Sequence, residues 1–174
     1  MKYLIDGYNV IFECGLHGKH VSGQSVAEAR NRLLREIASH VPEQQHAAIT
    51  VVFDASRRMI REEMDKEFFG NIAVLYSINF DDADEMIEHL IGQHSVPGQL
   101  TVVSSDHRLH KAALRRKAKP IDSGDWYDML MEGRLLPDEN SASQAPQSED
   151  PKQPLLSPEE LEQLRKDVED LSGQ

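Results

Sequence analysis

The stretch Met1-Lys2-Tyr3-Leu4-Ile5-Asp6-Gly7-Tyr8-Asn9 opens the chain and decides its fold. Tyr3-Leu4-Ile5 is typical of a short buried strand, and an aspartate, a glycine and an asparagine follow it within four residues. In open α/β sheets, ligands bind outside the carboxyl ends of the strands. The stretch therefore predicts a functional site that begins with Asp6 and Asn9.

Further strands and helices alternate along the rest of the chain. Strands are predicted at 47–53, 72–76 and 100–103, with Pro120-Ile121 as a candidate for a short last strand. Helices are predicted from an N-cap at Ser25 to Val41, from the acidic run at 81–85, over about 107–117, and around Trp126 to Gly133. Val10-Ile11-Phe12 is assigned to neither, and a glycine-containing loop follows it. This alternation predicts a three-layer α/β/α domain around a central, mostly parallel sheet.

The composition changes after residue 136. Ten of the 30 acidic residues and three of the 19 basic residues fall in 137–174, so this segment carries −7 of the net charge of −11. We expect one folded domain at 1–136, a disordered acidic linker at 137–156 and a short amphipathic helix at 157–174. The helix has a narrow apolar stripe, which predicts docking on the domain, on a second copy or on a partner. The stripe consists of Leu161, Leu164, Val168 and Leu171.

Several classes of protein are excluded by composition. Cys14 is the single cysteine, so neither an intrachain disulfide nor a cysteine zinc cluster is expected, and a cytoplasmic location fits. No apolar run approaches the roughly 18–20 residues of a membrane span, so we expect no membrane association. The acidic net charge argues against a general nucleic-acid coat, but not against an enzyme with a local basic patch.

Acidic residues follow every long predicted strand. Asp6, Asp54 and Asp106 each end one, and the strand at 72–76 leads to Asp81, Asp82, Asp84 and Glu85. Because parallel strands end along one edge of a sheet, these carboxylates are expected to converge there. Clustered carboxylates raise one another's pKa, and a hard cation such as Mg²⁺ relieves that conflict. Phosphodiester hydrolysis is the chemistry that such a site favours.

Each acid also has a simpler explanation. Asp81 is a candidate helix cap, with Asp84 and Glu85 complementing the helix dipole. Ser104-Ser105-Asp106 is a candidate cap of the next helix, and Asn9 is a candidate loop residue. A haloacid-dehalogenase-type site is disfavoured because a second aspartate is missing two residues after Asp6, and no nucleotide-binding glycine motif is present.

Four blocks of the sequence resemble the NYN domain, specifically its YacP-like branch within the PIN-like nuclease superfamily. The blocks are Asp6-Gly7-Tyr8-Asn9, Val51-Val52-Phe53-Asp54-Ala55, Ala83-Asp84-Glu85 and Ser104-Ser105-Asp106. The resemblance covers about residues 1–133. It implies a PIN-like fold and an endoribonuclease dependent on Mg²⁺ or Mn²⁺, in a family with members that act on ribosome-associated RNA.

The resemblance also assigns roles to residues. It implies that Asp6, Asp84 and Asp106 bind the metal and that Asn9 orients a ligand or phosphate. Four further acids have supporting roles by the same resemblance. They are Asp54, Glu85, Asp81 and Asp82.

Basic residues near the predicted site are candidates for RNA contact. They are Arg57, Arg58 and Arg61 after one strand, and Arg108, Lys111, Arg115 and Arg116 on the helix after Asp106. Such side chains position a strand through its phosphates. The alternative is a solvated helix face balanced by nearby acids. Tyr8 and Phe80 are candidates for base stacking, although core packing explains them more simply.

Two other functions compete with the endoribonuclease. One is a non-catalytic RNA- or ribosome-binding module of the same fold, which the full set of acids argues against. The other is an adaptor whose C-terminal helix does the binding.

Overall fold

The computed structural model describes residues 2–17 and 23–135, apart from the side chains of residues 23–25, 57 and 58. The expected linker at 137–156 and the expected helix at 157–174 lie outside the described residues. The chain divides into two units, Met1–Leu136 and Pro137–Gln174. All the elements below belong to the first unit.

The described residues form one six-stranded sheet with six α-helices. The strands are β1 Tyr3–Asp6, β2 Ile49–Phe53, β3 Lys66–Phe69, β4 Ile72–Tyr76, β5 Thr101–Val103 and β6 Lys119–Ile121. The helices are α1 Gly7–Glu13, α2 Gly23–His40, α3 Arg57–Arg61, α4 Ala83–Gln93, α5 His107–Arg115 and α6 Ser123–Met131. Short 3-10 helices at Glu43–Ala48 and Pro97–Gln99 precede β2 and β5. None of the helices in this part of the chain has the length and apolar character to cross a membrane.

The strands lie in the order β3-β4-β2-β1-β5-β6. All neighbours pair in parallel except β3 and β4, which are antiparallel. Ile5 of β1 lies opposite Val51 on one side and Val103 on the other. The predicted, mostly parallel sheet is confirmed, and the carboxyl end of β1 lies between those of β2 and β5.

Successive residues of β1 face opposite sides of the sheet, as the strand period requires. Leu4 packs in an apolar cluster with α4 and α5, which contribute Ile87 and Leu109. Ile5 packs in the other cluster with α1, α2 and α6, which contribute residues such as Leu33 and Trp126. Helices therefore cover both faces of the sheet, and the predicted three-layer architecture is confirmed.

Residues 10–12 belong to a helix, whereas the sequence led us to assign them to none. α1 begins directly after Asp6, whose Oδ1 accepts the N–H of Asn9 at 3.1 Å and caps the helix. Val10 and Ile11 are buried and Phe12 is exposed. A helix of seven residues is too short to show a clear period in the sequence, which is why the pattern did not reveal it.

Three other elements differ from expectation. The edge strand β3 was not predicted, because three of its four residues are exposed and two of them are charged. β2 begins at Ile49 rather than at residue 47, because 43–48 form a 3-10 helix. α2 begins at Gly23, so the predicted N-cap at Ser25 is wrong and this residue lies within the first turn.

Candidate active site

Asp6 lies at the carboxyl end of the central strand and is only 7% exposed. Its Oδ1 accepts the backbone N–H of Asn9, and its Oδ2 accepts the hydroxyl of Ser104 at 3.1 Å. Among the side chains that the structure describes, no basic one forms an ion pair with it. A buried carboxylate with two neutral donors and no cation is only partly compensated for its lost hydration.

The start of α5 links Asp106 to Asp6 through a single serine. Asp106 is the N-cap of α5, and its Oδ1 accepts the N–H of Arg108 at 2.6 Å. Its own N–H donates to the Oγ of Ser104 at 3.1 Å, and that hydroxyl donates to Asp6. The alternative role of Asp106 as a helix cap is therefore confirmed. The same fully buried serine also connects it with the central carboxylate.

Asn9 is held by groups from two later parts of the chain. Its Oδ1 accepts the N–H of Ser105 at 2.8 Å and the hydroxyl of Ser123 at 2.7 Å. The N–H of Ser123 in turn donates to the Oγ of Ser105. With both acceptor positions of the side-chain carbonyl used, the NH₂ group is what Asn9 can offer to a ligand.

Three carboxylates shape the start of α4. Asp82 is the N-cap and accepts the N–H of Glu85 at 2.7 Å, while Glu85 accepts the N–H of Asp81 at 2.9 Å. Asp54, at the end of β2, accepts the N–H of Ala83 at 2.7 Å. The alternative in which Asp81 caps this helix is wrong, because Asp82 occupies that position. Asp54 ties the helix start to the sheet.

Burial raises the pKa of Asp6 to about 6, against the hydrogen bonds from Asn9 and Ser104, which lower it. The negative charges of Asp84 and Asp54 raise it further. Asp6 therefore senses carboxylates from two other segments. This coupling places all three groups at the same edge of the sheet.

Asp84, in the first turn of α4, is the second acid with a shifted pKa. Burial raises its pKa, and the charges of Asp106, Asp82 and Asp54 raise it further, whereas Arg108 lowers it. Asp84 is thus repelled by acids that lie 30 positions before it and 22 positions after it in the chain, at the end of β2 and after β5.

The acids nevertheless do not form a ready-made metal cage. In the described part of the chain, no group of three or more His, Cys, Asp or Glu side chains is arranged so that it could hold a metal ion. Mg²⁺ often uses only one or two protein carboxylates and keeps several waters. Carboxylate oxygens that repel one another are also the donors that such a cation prefers. The donor chemistry at this edge therefore fits a hard divalent cation.

A comparison with known protein families shows to which family this chain belongs. The profile of the YacP-like NYN domain matches residues 3–169. The chain belongs to the YacP-like NYN domain family. The match continues beyond residue 133, where we expected the resemblance to end, so most of the acidic tail is included in the family pattern.

Two solved structures share the fold of this NYN domain. A tryptophan-to-leucine mutant of Rae1 (YacP) from Bacillus subtilis is 24% identical, with a TM-score of 0.54, over 75% of each chain. The crystal structure of Rae1 (YacP) from the same organism is 23% identical, with a TM-score of 0.52, over 76% of this chain and 75% of that one. No curated protein matches this chain.

The basic residues that are candidates for RNA contact lie in different parts of this NYN domain. Arg61 ends α3 and is exposed, whereas the side chains of Arg57 and Arg58 lie outside the described residues. Arg108 lies beside the acids, where its Nε binds Glu88 at 2.9 Å and its charge lowers the pKa of Asp84. The remaining candidates are exposed further along α5 or just after it. They are Lys111, Arg115 and Arg116.

Sequence reasoning missed two residues of the site. Ser123, which is fully buried, binds Asn9 across 114 positions, and Ser104 bridges two aspartates. Ser123 comes two residues after β6 and opens α6. A search for polar residues after every strand, including the short last one, would have found it.

Of the two candidate stacking residues, Tyr8 is half-buried and its ring meets that of Phe53 edge-on at 5.1 Å. Phe80 lies 5.4 Å from the ring of His89. Core packing therefore accounts for one part of the Tyr8 ring and leaves another part accessible.

Proposed function

We propose that this protein is a metal-dependent endoribonuclease that hydrolyses phosphodiester bonds of RNA. The observation that carries the proposal is the coupling at Asp6. A buried carboxylate at the centre of the sheet edge has a raised pKa, and two further carboxylates contribute to the rise. Membership of the YacP-like NYN family supports a role in RNA metabolism.

In this proposal the ligands of Mg²⁺ or Mn²⁺ come from Asp6, Asp84 and Asp106, with one or two of these carboxylates on the ion at a time and waters completing its coordination. A cation bound there supplies an activated water and neutralises charge on the phosphodiester. Ser104 holds two of these aspartates through its Oγ, which donates to the carboxylate of Asp6 and accepts the backbone N–H of Asp106. Asn9 offers its NH₂ group to a phosphate oxygen, which adds no negative charge to the site.

The supporting acids fix the position of the first turn of α4. Asp54 and Asp82 hold the first turn of α4, which carries Asp84, at the end of the sheet. Glu85 completes the turn by accepting the N–H of Asp81. Loss of any of these contacts would move a ligand without removing it.

The substrate in this proposal is RNA, including RNA on the ribosome. Flanking phosphates would contact the basic residues around the acidic edge, which position a strand without reading its sequence. These residues are Arg57, Arg58, Arg61, Arg108, Lys111 and Arg115. The proposal places the protein in the cytoplasm, where its single thiol stays reduced.

Cleavage of labelled RNA tests the proposal directly. Purified protein is incubated with single-stranded and structured RNA, each with Mg²⁺, Mn²⁺ or EDTA. We expect cleavage with a metal, no cleavage with EDTA, and a loss of roughly a hundredfold or more in Asp84→Asn and in Asp106→Asn, because metal-assisted charge stabilisation supplies several kcal/mol. Asp128→Asn removes an acid from the exposed surface of α6 and should retain activity.

Cleavage that survives both substitutions at the edge would show that the site is wrong. A second candidate is a non-catalytic RNA- or ribosome-binding module. The lack of a three-ligand group among the described residues favours it. RNA binding by the unmodified protein without any metal-dependent turnover, on free RNA and on ribosomes, would support this second function.

A further inference from the structure

A cleft of about 570 Å³ lies next to the acidic edge. Tyr8, Arg30, Ser56, Met59 and Tyr76 are among the residues that line it. Tyr8 lies in the first turn of α1, between Asp6 and Asn9 in the sequence. The cleft therefore borders the acidic edge at α1. It also borders this edge at Ser56, which comes two residues after Asp54.

Arg30 of α2 is held in this cleft by aromatic rings. Its guanidinium carbon lies 5.5 Å from the ring centroid of Tyr76 and 5.9 Å from that of Phe53, both of which are buried. Nη1 donates to the hydroxyl of Tyr8 at 3.3 Å and approaches the sulfur of Met59 at 3.9 Å. These contacts fix the plane of the guanidinium before any ligand arrives.

The charge of Arg30 has no acidic partner within the described residues. Glu62 and Glu67 also line the cleft, but neither lies within ion-pair distance of the guanidinium. Glu67 instead accepts the hydroxyl of Tyr76. The three N–H groups on Nε and Nη2 have no acceptor in the same part of the chain.

A half-buried, oriented guanidinium with unused donors is suited to a phosphate, which it binds through two parallel hydrogen bonds. The space in front of it lies within the usual range of small-ligand sites. The accessible part of the Tyr8 ring offers an apolar surface for a base or a ribose. The carboxylates that crowd the neighbouring edge are not part of this surface.

We propose that the cleft is a nucleotide subsite in which Arg30 binds a backbone phosphate of the RNA and Tyr8 contacts the attached nucleoside. The inference rests on the proposed function, because it takes the RNA strand to cross the acidic edge. The strand then continues from the edge over α1 into the cleft. Arg30 is a binding residue for a nucleotide beside the scissile one and takes no part in the bond cleavage.

Binding of a short fluorescein-labelled oligouridylate, followed by anisotropy at several salt concentrations, tests the subsite. Asp84→Asn serves as the parent so that the RNA stays intact. Adding Arg30→Met, which keeps the length of the side chain, should weaken binding about tenfold, the cost of losing charge-assisted hydrogen bonds. It should also reduce the slope of log K against log salt by about 0.7, the value for one phosphate contact on a single strand.

Arg32→Met is the matched control. It removes an exposed arginine from the same helix, and its effect on the affinity should be small. A second measurement, by NMR, is made on the parent, in which Arg30 is unchanged. The Nε–H resonance of Arg30, assigned in the parent itself through its connectivity to the backbone, should shift when the oligonucleotide is added.

Equal affinity and equal salt slope in Arg30→Met and the parent would overturn the subsite. If Arg30→Met does not fold, an unchanged Arg30 resonance in the parent overturns it. Failure of the parent to bind the oligonucleotide also overturns it, and the cleavage assay then judges the proposed function separately. If binding depends on Arg30 but no metal supports cleavage, the subsite stands and the nuclease proposal fails.

Discussion

At the scale of single residues, Asp6 combines a structural cost with its proposed role in metal binding. Its pKa is raised from 3.8 to about 6 in the folded protein. Between these values the folded state binds more protons than the unfolded state, so the free energy of unfolding falls as the pH rises. The stability that Asp6 contributes below about pH 4 is therefore lost once the pH has risen through 6.

We predict that Asp6→Asn abolishes cleavage and stabilises the metal-free protein at pH 7. Asparagine keeps an acceptor for the N–H of Asn9 and removes the buried charge. The gain should be about 1–3 kcal/mol, because one unit of pKa shift corresponds to about 1.4 kcal/mol. Urea unfolding at pH 7 and at pH 4 measures it.

The gain should shrink towards pH 4, where the natural carboxyl group is mostly protonated. Asp128→Asn provides the control, because its carboxylate is exposed. A stability change in Asp6→Asn that is the same at both pH values would show that burial of the charge is not its source.

At the scale of elements, the contact between α1 and β2 places Asp6 and Asn9. Gly7 opens α1, and a Cβ atom there would lie 2.1 Å from the Cε1 of Phe53, whose ring is fully buried. The glycine between the two site residues is thus required by close packing on the end of β2. The same packing brings Tyr8 edge-on to that ring.

We predict that Gly7→Ala destabilises the protein by about 1–3 kcal/mol, the usual cost of forcing additional atoms into a packed core. Because α1 carries Asn9, RNA cleavage should fall as well. Thermal or urea unfolding and the cleavage assay measure the two effects.

Gly92→Ala in α4 is the matched control, since a Cβ there meets nothing within 4 Å. It should be neutral or stabilise by up to about 1 kcal/mol, because alanine favours the helix. Equal effects of the two substitutions would exclude close packing as the reason for Gly7.

At the scale of the whole molecule, the strand order gathers acids that are far apart in the chain. β1 lies between β2 and β5, so the acids that follow these three strands share one edge. Burial raises the pKa values of Asp6 and Asp84, and the repulsion between acids at this edge raises them further. A cation bound at this edge would relieve the repulsion between the acids in the folded protein. It would have little affinity for the unfolded chain, in which the acids are far apart.

We predict that Mn²⁺ or Mg²⁺ raises the Tm of the full chain. Preferential binding to the folded state stabilises it by about 2.7 kcal/mol when the free ion is at a hundredfold excess over its Kd. Thermal unfolding with increasing Mn²⁺, and with Ca²⁺ and EDTA for comparison, measures the shift.

The shift should be strongly reduced in Asp84→Asn and retained in Asp128→Asn. The second variant keeps every acid at the edge, so it also reports ion binding elsewhere, including at the acidic tail. A Tm shift of equal size in both variants would place the stabilising ion outside the edge.

Much of the fold and part of the site followed from the sequence. Buried parallel strands are short, continuous apolar segments, so β2, β4 and β5 could be recognised within one or two residues. α1 and the polar edge strand β3 could not, because the first is too short for a period and the second is exposed. Asp82 replaced Asp81 as the cap of α4, because capping depends on a one-residue difference in backbone geometry.

By itself, the sequence determined which side chains end the strands, since Asp6 and Asp54 directly follow apolar segments and Asp106 comes three residues after one. Only the tertiary structure decided which of them are neighbours, and it added Ser123 to Asn9 and Arg30 to the aromatic cleft. Local periodicity reports which face of a strand or helix is buried. It carries no information on strand order or on contacts between residues more than 20 positions apart, because these depend on how the layers pack.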